Sequence, residues 1–144
     1  MIKGVFYYVQ FLYTRAELEA FSINVLEAHA RDASGKTFLD KAAELGCSIT
    51  HTTAYVDNTT AQHVAESGRT STEMLNELNK LRLSDLLLRS VFETNERVAS
   101  VDNDVADALS RMDTDEALRF PSDCDLRVVK LDVPEQYRSF PSLA

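Results

Sequence analysis

Three carboxylates stand where the sequence changes from one kind of element to another. Glu27 lies in a helix-prone run, Asp57 closes a β-branched run, and Asp107 falls in the first turns of a short helix. Acidic side chains gathered from separate elements outside the carboxyl ends of strands form an all-oxygen donor set suited to Mg²⁺ or Mn²⁺. Two such ions about 4 Å apart activate a water and stabilise the leaving oxygen of a phosphodiester. Each acid also has a plainer role. An Asp-Asn pair after a strand makes an Asx turn, and Asn103 caps a helix whose positive end favours Asp104 and Asp107. Other chemistries find less support. His29, His51 and His63 share no ligand spacing, and Ser67, Ser100 and Ser110 have no partnered His and Asp in a recognisable order. Cys47 and Cys124 form neither a CxxC pair nor a Cys/His cluster, so neither a disulfide framework nor a zinc site is indicated.

The elements that must position these acids follow from periodicity. Val5-Phe6-Tyr7-Tyr8-Val9-Gln10-Phe11 is β-branched and aromatic with little alternation, which predicts a strand buried on both faces and hence flanked by neighbours. Helical spacing then runs through residues 15–19 and 22–33, is interrupted at Ser34-Gly35-Lys36, and resumes over 37–45 to end at Gly46. Residues 48–56 read as a strand punctuated by Asp57-Asn58. A short helix over 60–66, closed by Gly68, should follow. From Ser71 onward Met74, Leu75, Leu78, Leu81, Leu86 and Leu88 share less than half of a helix circumference and predict a core-facing stripe. Asp85 falls within that arc and suggests a break near Ser84. A last strand over 96–101 and a helix over 105–111 complete the pattern. Residues 112–144 hold all three prolines and read as an extended tail, with an edge strand over 126–133.

Length and composition fit one folded unit. The 144 residues, 44% hydrophobic and 26% charged, are ordinary for a globular domain rather than a disordered chain. A formal net charge of -8 argues against a broad basic nucleic-acid surface, so contact with a polynucleotide would be local or metal-mediated. The apolar opening carries Lys3 and Gln10 and lacks a cleavage site. No window approaches the roughly 20 apolar residues of a membrane span. A non-membrane protein of the cytoplasm or nucleus is expected.

Three blocks together carry a resemblance. Ser22-Ile23-Asn24-Val25-Leu26-Glu27, then Val56-Asp57-Asn58-Thr59-Thr60-Ala61 with Gly68-Arg69, then Asn103-Asp104-Val105-Ala106-Asp107 occur in that order. They resemble successive blocks of the ribonuclease H domain in retrotransposon reverse transcriptases, most closely those of tyrosine-recombinase-bearing elements. The resemblance covers about residues 21–111 and implies that Glu27, Asp57 and Asp107 are metal ligands for Mg²⁺ or Mn²⁺. It implies an α/β fold, a mixed sheet flanked by helices, with residues 1–111 as a partial domain and 112–144 as an irregular tail. An intact domain of this kind cuts the RNA strand of an RNA·DNA hybrid, reading its shape and 2′-hydroxyls.

The chain departs from the family in two respects. The family has an earlier aspartate on its first strand, whereas here no aspartate precedes Asp32, and the acids before Glu27 are Glu17 and Glu19 on a predicted helix. The family's histidine before the last aspartate also has no counterpart between Val98 and Asp102. The expectation is a truncated domain whose first strands are missing, with an upstream reverse transcriptase segment as the natural partner. The alternative is a catalytically inactive relict or co-opted binding module, whose exposed sheet edge would accept a strand from a partner.

Overall fold

A computed structural model describes residues 2, 4–57, 60–98, 104–119, 121 and 124–142; within these, the side chains of 56–57, 60–71, 97–98 and 104 are not described. The chain is mixed α/β. Strand β1 (Val5–Tyr8) leads through α1 (Arg15–Ala20) to the long helix α2 (Ile23–Glu44). Strand β2 (His51–Asp57), helix α3 (Thr60–Arg89) and strand β3 (Phe92–Val98) follow. Helices α4 (Asp104–Ser110) and α5 (Thr114–Ala117), strand β4 (Arg127–Lys130) and helix α6 (Glu135–Arg138) close it.

Local chemistry sets the helix ends. Thr14 forms a capping box with Glu17: its hydroxyl accepts from the Glu17 N–H at 3.1 Å, while the Glu17 carboxylate accepts from the Thr14 N–H at 2.8 Å. At the far end of α2, Gly46 takes φ 74°, and Cys47 N–H donates back to the Ala42 carbonyl at 2.8 Å. This is the left-handed ending that glycine adopts without a Cβ penalty. Ser90 (φ 56°) after α3 and Met112 (φ 61°) after α4 close their helices with the same back-bonds, Val91 N–H to Leu86 and Asp113 N–H to Ala108, both 2.9 Å.

Three expected interruptions are absent. Helix α2 runs unbroken through Ser34-Gly35-Lys36, and α3 runs unbroken from Thr60 past Gly68 and Ser84 to Arg89. A glycine in a helix interior costs only about 1 kcal/mol relative to alanine, which burial along a long helix outweighs. The burial is supplied where α2 meets α3. Val25, Met74 and Leu78 form the centre of the core, with Phe21, Ala28, Leu75 and Phe140 packed on it. At the other end Arg89 of α3 donates to Asp40 of α2 at 2.8 Å, so the two helices run in the same direction. The leucine stripe is only partly core. Met74, Leu78 and Leu86 are buried, whereas Leu81 is 38% and Leu88 is 87% exposed.

The strands form two parallel pairs rather than one mixed sheet. β2 pairs with β3 in the register His51↔Phe92 to Asp57↔Val98, and α3 is the crossover between them. β1 pairs with β4, Val5↔Arg127 to Tyr8↔Lys130, joining the two ends of the chain. The residues of β1 are half-buried rather than enclosed on both faces. The carboxyl-terminal stretch therefore contributes a strand partner and, through Phe140, core packing, beyond the expected extended tail with an edge strand.

Candidate functional site

The expected metal ligands occupy three elements. Glu27 sits in the second turn of α2 on its exposed side. Asp57 is the last residue of β2, immediately before α3 begins at Thr60. Asp107 lies in α4, half-buried, and its Oδ2 accepts from Arg111 Nη2 at 2.7 Å. Because β2 and β3 are parallel, their carboxyl ends fall at one end of the pair. Asp57 lies opposite Val98 there, and α4 follows from the same end. This is where ligands gather in open α/β sheets. The Asp57 side chain is outside the described residues, as are Asn58, Thr59 and Asn103 of the quoted blocks and Ala99 to Asp102 before the last of them. Among the described residues no group of three or more His, Cys, Asp or Glu side chains converges as a metal cluster. The donor set itself, three carboxylates, matches a hard cation such as Mg²⁺.

Sequence reasoning passed over a second polar constellation, built on α2, α3 and β3. Glu93 of β3 accepts from Arg31 of α2 at 2.8 Å and pairs, through the same Oε1, with Arg82 of α3. Beside them Lys36 donates to Asp32 at 3.0 Å. Burial, reinforced by the like charge of Arg31, pulls Arg82 down to about 10. Arg31 Nε and Asp32 Oδ1 are buried and lack partners in the described structure. The helical interval from Arg31 to Asp32 and Lys36 was visible, but Glu93 lies far along the chain and no local signal linked it to them. These groups line a cavity of about 670 Å³ bounded by β1, β2, α2, α3 and α4.

A third cluster fastens the carboxyl-terminal segment. Arg138 grips both Glu17 oxygens, at 2.6 and 3.0 Å, and lies over the rings of Phe11 and Tyr13. The bidentate bond from Arg138 holds the Glu17 carboxyl down at about 2. His29, which shares no ligand spacing with the other histidines, is 1% exposed and stacks on Phe140 with centroids 4.0 Å apart. The Tyr13 hydroxyl donates to the Leu26 carbonyl at 2.8 Å, so at 2.9 Å it accepts from His29 Nδ1–H. Burial lowers the His29 pKa and keeps the ring neutral. His51, by contrast, is exposed beside Thr94, and the side chains of His63 and Ser67 and the whole of Ser100 lie outside the described residues. Cys47 and Cys124 are both free thiols.

No protein-family model, curated protein or solved structure matches the chain. No helix among the described residues is long and apolar enough to cross a membrane.

Proposed function

We propose that this chain is the carboxyl-terminal part of a ribonuclease H-like domain from a retroelement reverse transcriptase, with Glu27, Asp57 and Asp107 as its remaining metal ligands. The observation that carries the reading is the order of the three blocks on their elements. A helix bears the first acid, a strand ends on the second, and a helix beyond the parallel partner strand bears the third. A bound pair of Mg²⁺ or Mn²⁺ ions would supply an activated water and charge stabilisation for hydrolysing the RNA strand of an RNA·DNA hybrid inside the cell. The chain's own part is to present the carboxylates. Asp57 is placed by the β2–β3 register, and Asp107 is held by its ion pair with Arg111. The absence of an aspartate before Asp32 predicts weak metal binding and little cleavage by this chain alone.

The test is cleavage of a labelled RNA·DNA hybrid in Mg²⁺ or Mn²⁺ by the chain, its Asp57→Asn variant, and a version extended upstream. The reading expects activity in the extended version that Asp57→Asn removes. Absence of activity in both the chain and the extended version would favour the second reading, a catalytically inactive relict or binding module. That reading draws support from the unpaired strand edges around the cavity.

A further inference from the structure

Gln10 is an amide in an otherwise apolar and aromatic run, Val5 to Phe11, and lies half-buried two residues beyond the carboxyl end of β1. Its Nε2 donates to the Leu109 carbonyl at 2.8 Å, and its Oε1 accepts from the Thr114 hydroxyl at 3.4 Å. These two contacts span the turn between α4 and α5, where Met112 takes φ 61°. A side-chain amide offers a donor on one arm and an acceptor on the other, so the two partners together fix how it is turned. Neither a glutamate nor an apolar residue of the same length serves both.

The Leu109 carbonyl belongs to the last turn of α4, where carbonyls have no partner further along the helix. It accepts from Met112 N–H at 3.1 Å, and Gln10 uses its second lone pair. A helix of seven residues gains little from its own bonds and takes its place from what it rests on. Helix α4 rests on Ala108, which is 3% exposed, and on the half-buried Val105 and Leu109. Such apolar contact is non-directional, whereas a hydrogen bond to a backbone carbonyl fixes the height and rotation of the helix.

Asp107 is two residues from that carbonyl, about 3 Å of helix rise. Three residues beyond Gln10, the Tyr13 hydroxyl donates to the carbonyl of Leu26 at 2.8 Å, next to Glu27. One short stretch, Gln10 to Tyr13, is therefore bonded at one end beside Asp107 and at the other beside Glu27.

We propose that Gln10 is a positioning residue of the metal site: through the Leu109 carbonyl it sets the place of Asp107 on α4 relative to Glu27 on α2. The inference rests on the reading of Glu27, Asp57 and Asp107 as metal ligands.

The experiment titrates the isotope-labelled full chain with Mn²⁺, which takes the same oxygen ligands as Mg²⁺ and whose unpaired electrons broaden nearby amide signals. Broadening at the Asp57 and Asp107 amides is compared with that in Asp107→Asn, Gln10→Met and Gln10→Asn. Methionine keeps the length and loses both hydrogen bonds, and asparagine is one methylene too short to reach. Gly46→Ala, a destabilising change remote from α4, controls for a general loss of stability. The expected result is that Asp107→Asn and both Gln10 variants raise the Mn²⁺ concentration for half-broadening, the Gln10 variants by roughly fivefold, the factor that one neutral hydrogen bond contributes. Without metal, exchange at the α4 amides should quicken by a similar factor in the Gln10 variants while the Val25 and Leu26 amides of α2 keep their protection. Gly46→Ala should leave the titration unchanged. Broadening that depends on Asp107 but not on Gln10, or that Gly46→Ala weakens as much as the Gln10 variants do, overturns the positioning role alone. Wild-type broadening that Asp107→Asn does not alter overturns the metal reading, and the positioning role falls with it.

Discussion

Replacing Glu93 by Gln should destabilise the chain far more than replacing either of its partners. Two guanidiniums converge on one carboxylate oxygen, with side chains only 13% exposed for Glu93, 18% for Arg82 and 30% for Arg31. Each contact at about 4 Å is worth about 4 kcal/mol of Coulomb energy in a medium of effective dielectric 20, before desolvation is charged against it. Glu93→Gln removes both attractions and leaves two like charges beside the cavity. Deleting one partner of a buried pair costs about 3–5 kcal/mol. Arg31 is exposed enough to turn toward water, which places the loss near about 3 kcal/mol, or a Tm lower by about 10 °C. Arg31→Gln removes a repulsion along with an attraction and leaves Arg82 paired, so its cost should stay below about 1 kcal/mol. Urea unfolding followed by circular dichroism measures both. A Glu93→Gln loss no larger than that of Arg31→Gln would refute the shared-carboxylate account, and Glu93→Gln with Arg82→Gln should recover part of the single-variant loss.

Stability should fall with pH in two windows. Burial depresses the His29 pKa, so its contribution is complete above the ordinary 6.5 and declines as pH falls below it, because the unfolded chain takes up the proton first. Glu17, lowered from 4.5 to about 2 by Arg138, contributes fully above 4.5 and loses that contribution as pH falls through about 2. Chemical denaturation across pH should show His29→Leu flattening the upper window and Glu17→Gln the lower. Gly46→Ala should cost about 1 kcal/mol in thermal unfolding, because φ 74° is strained for alanine although nothing lies within 4 Å of the added Cβ. Ser90→Gly, at φ 56°, should gain a similar amount; an unchanged Tm in both would count against the left-handed endings. In α2, Gly35→Ala should stabilise by about 0.4–1 kcal/mol, since its Cβ also meets nothing within 4 Å, and a lower Tm would mean that the helix is interrupted there after all.

The amino-acid sequence by itself determined the kinds of element and their order as far as α4, but not the short helices α5 and α6 in the expected extended tail. β-Branched runs became β1 and β2, Asp57 fell at the end of β2, and glycine at position 46 closed α2. Such features are legible because they depend on neighbours within a few residues: alternation, helical spacing, caps and the left-handed region. Tertiary structure decided whether Gly35 breaks a helix, because contact between α2 and α3 outweighs a penalty that is small at one glycine. It also divided the leucine stripe, since the packing of α2 covers Met74, Leu78 and Leu86 but leaves Leu81 and Leu88 in solvent. The three acids could be placed on their elements from sequence, whereas the Glu93 cluster and the Arg138–Glu17 clamp could not. Their partners are distant in the chain, and the β1–β4 pairing joins its opposite ends. Such meetings depend on loop closure and on which side chains share the remaining space, and no local pattern records either.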